Sequence, residues 1–305
     1  MILILLTILG ATAAGVGSEH RWGEHSRRLA RSTLTAMLFV LVPFESFFNI
    51  AHLRLNAGVG AGIALACLAI AIAGLCASLL ARRVFHMRAP VAATFICTVV
   101  VSNTGYLGLP LASTVLGSGQ LPTAVAYDTL VSGPMLLLGA FGLGAAFGTR
   151  SGQTASERRR AFLLRNPPLL AVIAGLAAPA SLAPSALVSA AHVVVYALLP
   201  LGFFVLGVNL ASAGESGLLR LDKRLRAPVA SAIALRMVLT PALLIGFSLL
   251  VDIPHAYLLQ SAMPCGINTL IVAHAYGLDL RLASTTIALG TLAAVLAVSI
   301  ASLVL

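Results

Sequence analysis

Long apolar runs follow one another along the whole of this chain, and only short polar segments separate them. Hydrophobic residues make up 59% of the 305 residues and charged residues only 9%, whereas a soluble domain carries about 25% charged residues. A soluble fold of this size cannot hide so much apolar surface from water. The sequence therefore predicts an all-α polytopic membrane protein embedded in a lipid bilayer.

Ten apolar runs are candidate transmembrane helices. Their predicted limits are 1–17, 30–51, 57–81, 90–117, 121–148, 167–180, 185–212, 227–251, 254–277 and 281–304. All the basic residues except Arg54 and Arg236 fall in the loops that follow odd-numbered spans. Because basic residues favour the cytoplasmic side, we predict a multi-pass protein of the cytoplasmic (inner) membrane with both termini outside. The net charge of +10 then reflects topology, and no nucleic-acid partner is predicted.

One long basic segment divides the chain at its middle. This segment, 149–166, is predicted to be a cytoplasmic linker loop between a first five-helix repeat, 1–148, and a second, 167–305. An odd number of helices in each half gives the halves opposite orientations in the membrane. That arrangement is typical of inverted-topology repeats in transporters.

The fourth helix of each half is interrupted by a proline with polar residues beside it. Pro110 interrupts the fourth span and Pro264 interrupts the ninth. Proline lacks the backbone donor and displaces the carbonyl one turn earlier, so it frees backbone groups that lipid cannot satisfy. A symmetric pair of such breaks is the best sequence indication of a transporter's binding site. We therefore expect the broken fourth and ninth helices to cross at these two prolines.

Polar residues beside the two breaks are candidate ligands of a substrate. On each segment their helical spacing places the amide and the proline on one face. A buried amide offers both a donor and an acceptor, which suits a carboxylate. Alternatively, these amides only form hydrogen bonds between helices. The candidate substrate-binding residues on the two segments are Asn103, Gly105, Tyr106, Gln260 and Asn268.

Two charged residues lie inside predicted spans, Asp128 in the fifth and Arg236 in the eighth. A charge at the centre of a membrane helix costs about 2.5–3.5 kcal/mol on insertion scales, so such residues usually face a cavity or each other. Three interpretations remain open at this stage. The two residues form a structural ion pair, or Arg236 attracts an anionic substrate, or Asp128 relays a proton or a cation.

Enzyme and metal motifs are absent from the sequence. It contains no HExxH, GxSxG, Walker A or dinucleotide-binding pattern, and its four cysteines lie within apolar spans without CxxC spacing. We therefore predict that the protein is not an enzyme and has no metal site. No cofactor is predicted, although H⁺ or Na⁺ could be a coupling ion.

The run from Asn103 to Pro110, NTGYLGLP, resembles the fourth-helix motif of the auxin efflux carrier family, which includes bacterial malonate and malate permeases. The segment Asn166-Pro167-Pro168, the segment 201–210 and the segment 263–279 resemble other parts of that family. The chain lacks the long central hydrophilic loop of the plant members, which export an indole carboxylate. It is therefore similar to the short bacterial type.

The resemblance implies a ten-helix fold like that of sodium/proton antiporters and bile-acid symporters. A scaffold domain, about 1–51 plus 167–212, would form a homodimer through its helices. A transport domain, about 57–148 plus 227–305, would carry the substrate at the helix crossover and move like an elevator.

The sequence and the resemblance together predict a secondary active or potential-driven transporter of small organic anions, such as mono- and dicarboxylates. In this interpretation Asn103 and Asn268 contact the substrate and Arg236 attracts it. One alternative is a cation/proton antiporter that uses Asp128. Others are a sodium-coupled organic anion symporter and, outside transport, a membrane sensor or structural protein.

Overall fold

The computed structural model describes residues 2–51, 60–179, 182–212 and 223–304, and these residues form helices joined by short loops. Arg54, Arg220 and the first residues of the predicted third span, 57–59, lie outside the described residues. Within the described ranges there is no β-strand, only one isolated antiparallel bridge between Ser102 and Cys265.

The described residues of the first half form eight α-helices, several of which are continued by a π-helical turn. The α-helices are α1 Ile2–Trp22, α2 Glu24–Ala36, α3 Val42–Ala51, α4 Gly60–Leu79, α5 Ala89–Val100, α6 Leu109–Val115, α7 Leu121–Tyr127 and α8 Phe141–Phe147. The π-helical turns are Met37–Leu41, Leu80–Val84, Thr104–Gly108, Asp128–Ser132 and Met135–Ala140, and a short 3₁₀ turn covers Ser118–Gln120.

The second half contains eight further α-helices among the described residues. They are α9 Ala155–Leu164, α10 Pro167–Ala177, α11 Ser185–Ser212, α12 Lys223–Ala234, α13 Thr240–Ser248, α14 His255–Ser261, α15 Asn268–Tyr276 and α16 Leu280–Val304. The π-helical turn Leu235–Leu239 joins α12 to α13. Helix α9 lies within the segment predicted to be a loop, and Thr154 and Glu157 form a capping box at its start.

Among the residues that the structure describes, five helical stretches are long and apolar enough to cross a membrane: Glu24–Phe48, Gly60–Val84, Leu121–Phe147, Arg224–Ser248 and Leu280–Ala297. Helices α9 and α10, which meet at a bend of 63°, make a sixth if they are taken as one span. The all-helical polytopic membrane fold predicted from the sequence is thereby confirmed. The predicted fourth and ninth spans each consist of short helices on either side of a break, so neither contains a helix of membrane-crossing length.

The helices pack in two neighbouring sets. Helix α1 lies along α11, while α2 and α3 pack against α11 and α10. The close approach of α1 and α11 depends on Gly15 and Gly207, each of which faces backbone atoms of the other helix. In the other set, α5 contacts α4, α8, α12 and α16, and α14 contacts α7 and α13. The broken helices of this second set meet α2 and α11 of the first, and the candidate site lies near that boundary.

Candidate functional site

Two short extended segments cross where the fourth and ninth predicted helices are interrupted. Residues 101–103 separate α5 from the π-helical turn Thr104–Gly108, and residues 262–267 separate α14 from α15. The backbone N–H of Asn103 donates to the Pro264 carbonyl at 2.8 Å, and the Gly266 N–H donates to the Val101 carbonyl at 3.0 Å. Backbone groups that leave a helix inside a membrane need partners, and here each broken segment supplies them to the other.

The two predicted crossover prolines occupy different places. Pro264 lies in the extended segment itself and its carbonyl accepts one of the crossing hydrogen bonds. Pro110 lies in the helix that runs without interruption from the π-helical turn Thr104–Gly108 into α6. The fourth helix is interrupted before this point, at residues 101–103. The crossing also requires Gly266, because a Cβ there would lie 2.8 Å from the Ser102 carbonyl oxygen.

The Arg236 side chain does not pair with Asp128. It donates hydrogen bonds to the ends of both broken helices instead. The side chain is 1% exposed and projects from the π-helical turn between α12 and α13. Its Nε donates to the Met263 carbonyl at 3.0 Å, and one terminal nitrogen donates to the Ser261 carbonyl at 3.1 Å. The other terminal nitrogen donates to the Val99 carbonyl at 3.5 Å. These carbonyls lie at and just beyond the C-terminal ends of α5 and α14, where the helix dipole is negative.

Gln260 is used in helix packing. Its side chain is fully buried, and Nε2 donates to the carbonyls of Thr104 at 3.4 Å and Ala124 at 3.3 Å. These bonds tie α14 to the π-helical turn of the fourth helix and to α7. Gly108 makes this contact feasible, because a Cβ there would lie 2.0 Å from the Gln260 Oε1.

Asn103 and Asn268 carry buried polar atoms without a hydrogen-bond partner among the described residues, as Gln260 does at its Oε1. Asn103 is 2% exposed, and neither its Oδ1 nor its Nδ2 has a hydrogen-bond partner among the described residues. Asn268 is the first residue of α15, and its Oδ1 is likewise buried without a partner there. Tyr106 lies near these amides, in the π-helical turn Thr104–Gly108 that begins directly after Asn103. The crossover therefore offers two amides and a phenol to a small polar ligand.

Asp128 lies on the fourth-helix side of the crossover, at the start of the π-helical turn Asp128–Ser132. Its Oδ1 accepts a hydrogen bond from the Thr104 hydroxyl. Gly105 lies against the same carboxylate, since a Cβ there would be 3.4 Å from Oδ2. Asp128 and Arg236 thus have separate partners, and the ion pair between them, one of the three open interpretations, is not seen in the structure.

From the sequence alone Thr104 had no predicted role, and Glu45, near the end of the second predicted span, was expected to lie at the membrane interface. Thr104 holds the Asp128 carboxylate, and Glu45, in α3, lies within electrostatic range of the Tyr106 hydroxyl. The role of Thr104 could not have been predicted from the sequence, because a threonine in a membrane helix usually bonds only to its own backbone.

Comparison with known proteins identifies relatives of this chain. Residues 159–302 match the family described as membrane transport protein. An uncharacterized transporter of Methanocaldococcus jannaschii is 25% identical over 239 residues, which cover 74% of this chain and 73% of that protein. The family match includes α12–α15, which carry Arg236, Gln260, Pro264 and Asn268. Both findings confirm the resemblance to a membrane transport family that the sequence motifs indicated.

Proposed function

We propose that this chain, a member of a membrane transport protein family, is a secondary active or potential-driven transporter of small organic anions. The substrate class is mono- and dicarboxylates. The observation that carries the proposal is the buried amide of Asn103 at the crossing of the broken helices, whose Nδ2 donor has no partner among the described residues. This donor can satisfy a carboxylate oxygen, and Asn268 marks the N-terminal end of α15, which favours negative charge.

The electrostatics of the site agree with an anionic substrate. Arg236 brings a full positive charge to the crossover, and its hydrogen bonds go to carbonyl oxygens rather than to a carboxylate. Carbonyl dipoles solvate this charge without cancelling it. In the proposal Arg236 therefore attracts the anion electrostatically from behind the crossover, while Asn103, Tyr106 and Asn268 contact it.

The proposed architecture is ten membrane spans in two inverted five-helix repeats, with an elevator-type movement. Support comes from the packing of α1 with α11 and of α3 with α10, which groups the first, second, sixth and seventh predicted spans as a scaffold. The crossing segments belong to the remaining spans, which form the proposed transport domain. The scaffold would form a homodimer, and the protein would lie in the inner membrane with both termini outside.

A cation/proton antiporter is the second candidate function. It is favoured by Asp128, an acidic residue within an apolar stretch, bonded to Thr104 of the broken helix and not paired with Arg236. Binding of a proton or cation at this carboxylate would change its hydrogen bond with Thr104, which lies at the break in the fourth helix. The same residue could instead couple proton movement to anion transport.

Currents recorded from purified protein in proteoliposomes on a solid-supported membrane test the proposal. We expect saturable currents with some members of a mono- and dicarboxylate panel. Asn103→Ala should lower the current roughly ten- to hundredfold, because a hydrogen bond to a charged group is worth about 1.5–3 kcal/mol. Its thermal stability should be unchanged, because the Asn103 side chain has no hydrogen-bond partner among the described residues.

Asn209→Ala is the matched control. Asn209 also lies in an apolar helix, but its Nδ2 donates to Val205 of the same helix at 2.9 Å. This variant should retain wild-type current. Wild-type current in Asn103→Ala would contradict the proposed site. A response to Na⁺ or pH with no response to any carboxylate would favour the antiporter.

A further inference from the structure

The C-terminal ends of α5 and α14 both point into the crossover. When a membrane helix is interrupted, its last carbonyl oxygens lose their helical donors and need another partner. In transporters with discontinuous helices, such carbonyls commonly coordinate a coupling cation. What occupies them in this chain therefore determines which ions the crossover can bind.

A protein side chain occupies these oxygens here. Arg236 donates from all three of its side-chain nitrogens. Two of them bond to carbonyls of the ninth helix, Ser261 at the end of α14 and Met263 just beyond it, and the third bonds to the Val99 carbonyl near the end of α5. The guanidinium is planar and more weakly hydrated than an ammonium or a small metal ion, so it suits a dry site with fixed acceptors. Its 1% exposure shows that it is enclosed.

We propose that Arg236 is a resident cation of the crossover, which occupies the half-helix carbonyl oxygens in place of a dissociable sodium ion. This inference rests on the proposed transport function and concerns its coupling. A second cation at the same oxygens would meet the guanidinium charge at close range. Anion transport therefore needs no sodium ion at this position, which argues against the sodium-coupled symporter.

Arg236 also has a positioning role. It projects from the α12–α13 helix and bonds both broken helices, so it fixes the ends of α5 and α14 relative to each other. Removal of its side chain leaves buried carbonyls without donors and opens a space that a small cation can enter. The resulting defect should be reversible by a cation supplied in solution, whereas a loss of packing alone would not be.

Thermal unfolding of the purified full-length protein tests this inference without any substrate. Wild type should unfold at the same temperature in sodium chloride and in choline chloride of equal ionic strength. Arg236→Ser should unfold several degrees lower, and millimolar guanidinium chloride should restore part of that loss while leaving wild type unchanged. Arg83→Ser, at an exposed arginine, is the matched control and should behave as wild type.

Two results would overturn the inference. One is a saturable stabilisation of wild type by sodium over choline, which would reveal a dissociable sodium ion. The other is an Arg236→Ser protein that guanidinium does not stabilise. If Arg236→Ser does not fold, the comparison of wild type in sodium and choline still tests whether a dissociable sodium ion is bound. In that case Arg236→Lys, which keeps the charge, should unfold at a temperature below that of wild type.

Carboxylate current measured with choline in place of sodium separates this inference from the proposed function. Undiminished current supports both. Current that is present in sodium and lost in choline overturns the resident-cation inference but keeps the organic anion carrier. If no carboxylate gives current under any condition, the proposed function fails, while the thermal experiment still decides the role of Arg236.

Discussion

At the scale of single residues, the sequence identified which polar groups lie near the crossover but not how each is used. Asn103, Gln260 and Asn268 are all amides beside a break. Only the folded structure shows that Gln260 donates to Thr104 and Ala124, whereas Asn103 has no partner among the described residues. Such pairings depend on residues distant in sequence, so spacing along one helix cannot reveal them.

Asp128→Asn should remove proton coupling while leaving the fold intact. An asparagine Oδ1 can still accept the Thr104 hydroxyl, so the hydrogen bond is kept and only the titratable charge is lost. If Asp128 exchanges protons during transport, the carboxylate current of this variant should lose its dependence on pH. Currents measured over a series of pH values, with unfolding temperature as the stability readout, check this.

Asp279→Asn is the control for that experiment. Asp279 accepts the Leu282 N–H at 2.9 Å, a helix-capping bond that asparagine makes equally well. The control should keep the wild-type pH profile. A wild-type profile in Asp128→Asn as well would remove Asp128 from the coupling mechanism and leave the antiporter without its carboxylate.

At the scale of secondary structure, the sequence correctly indicated that both the fourth and the ninth helices are interrupted. It placed the first interruption at Pro110, whereas the helix is broken at residues 101–103. The reason is tertiary. The helix opens at residues 101–103, where the segment 262–267 supplies backbone hydrogen-bond partners, and it continues through Pro110. A proline therefore indicates that a membrane helix is irregular without fixing the residue at which it opens.

The contact between α1 and α11 gives a prediction about scaffold stability. A Cβ at Gly15 would lie 2.1 Å from the Phe204 carbonyl oxygen and 2.9 Å from the Val208 nitrogen, so the two helix backbones touch there. Small residues permit such approach in membranes. Gly15→Ala should force the helices apart and destabilise the protein by about 1–3 kcal/mol, as overpacking does. The measurement is thermal unfolding in detergent.

The control residue for Gly15 lies two positions away in the same helix. A Cβ at Gly17 would have no atom within 4 Å, so Gly17→Ala should leave the unfolding temperature unchanged or slightly higher. Equal effects of the two alanines would show that helix propensity, and not the contact with α11, sets the result.

At the scale of the whole molecule, composition alone was sufficient to predict a polytopic helical membrane protein. The count of ten spans rests on the alternation of basic loops and stays a prediction, because helices that are broken or short are not recognisable as spans by length. Helix α9 was missed because a basic, polar segment was taken for a loop. The spacing of Thr154 and Glu157, which form its capping box, was the available signal.

The elevator mechanism predicts that joining the two sets of helices stops transport. Thr35 of α2 lies on the proposed scaffold and His274 of α15 on the proposed transport domain, and the Thr35 Oγ1 and His274 Nε2 are 3.2 Å apart. With the native cysteines replaced, Thr35→Cys/His274→Cys should lose carboxylate current when a short bifunctional methanethiosulfonate reagent links the two thiols. Reduction of the link should restore the current, because the two sets can then slide past each other again.

The pair Ser18→Cys/Ser26→Cys is the control for this link. These hydroxyls are 2.6 Å apart near the α1–α2 junction, so both cysteines lie on the proposed scaffold. Linking them should leave the current unchanged, because no boundary between moving parts is crossed. If the Thr35/His274 link forms quantitatively and transport continues, the substrate crosses without relative movement of α2 and α15. The elevator would then give way to a mechanism in which only the crossover itself rearranges.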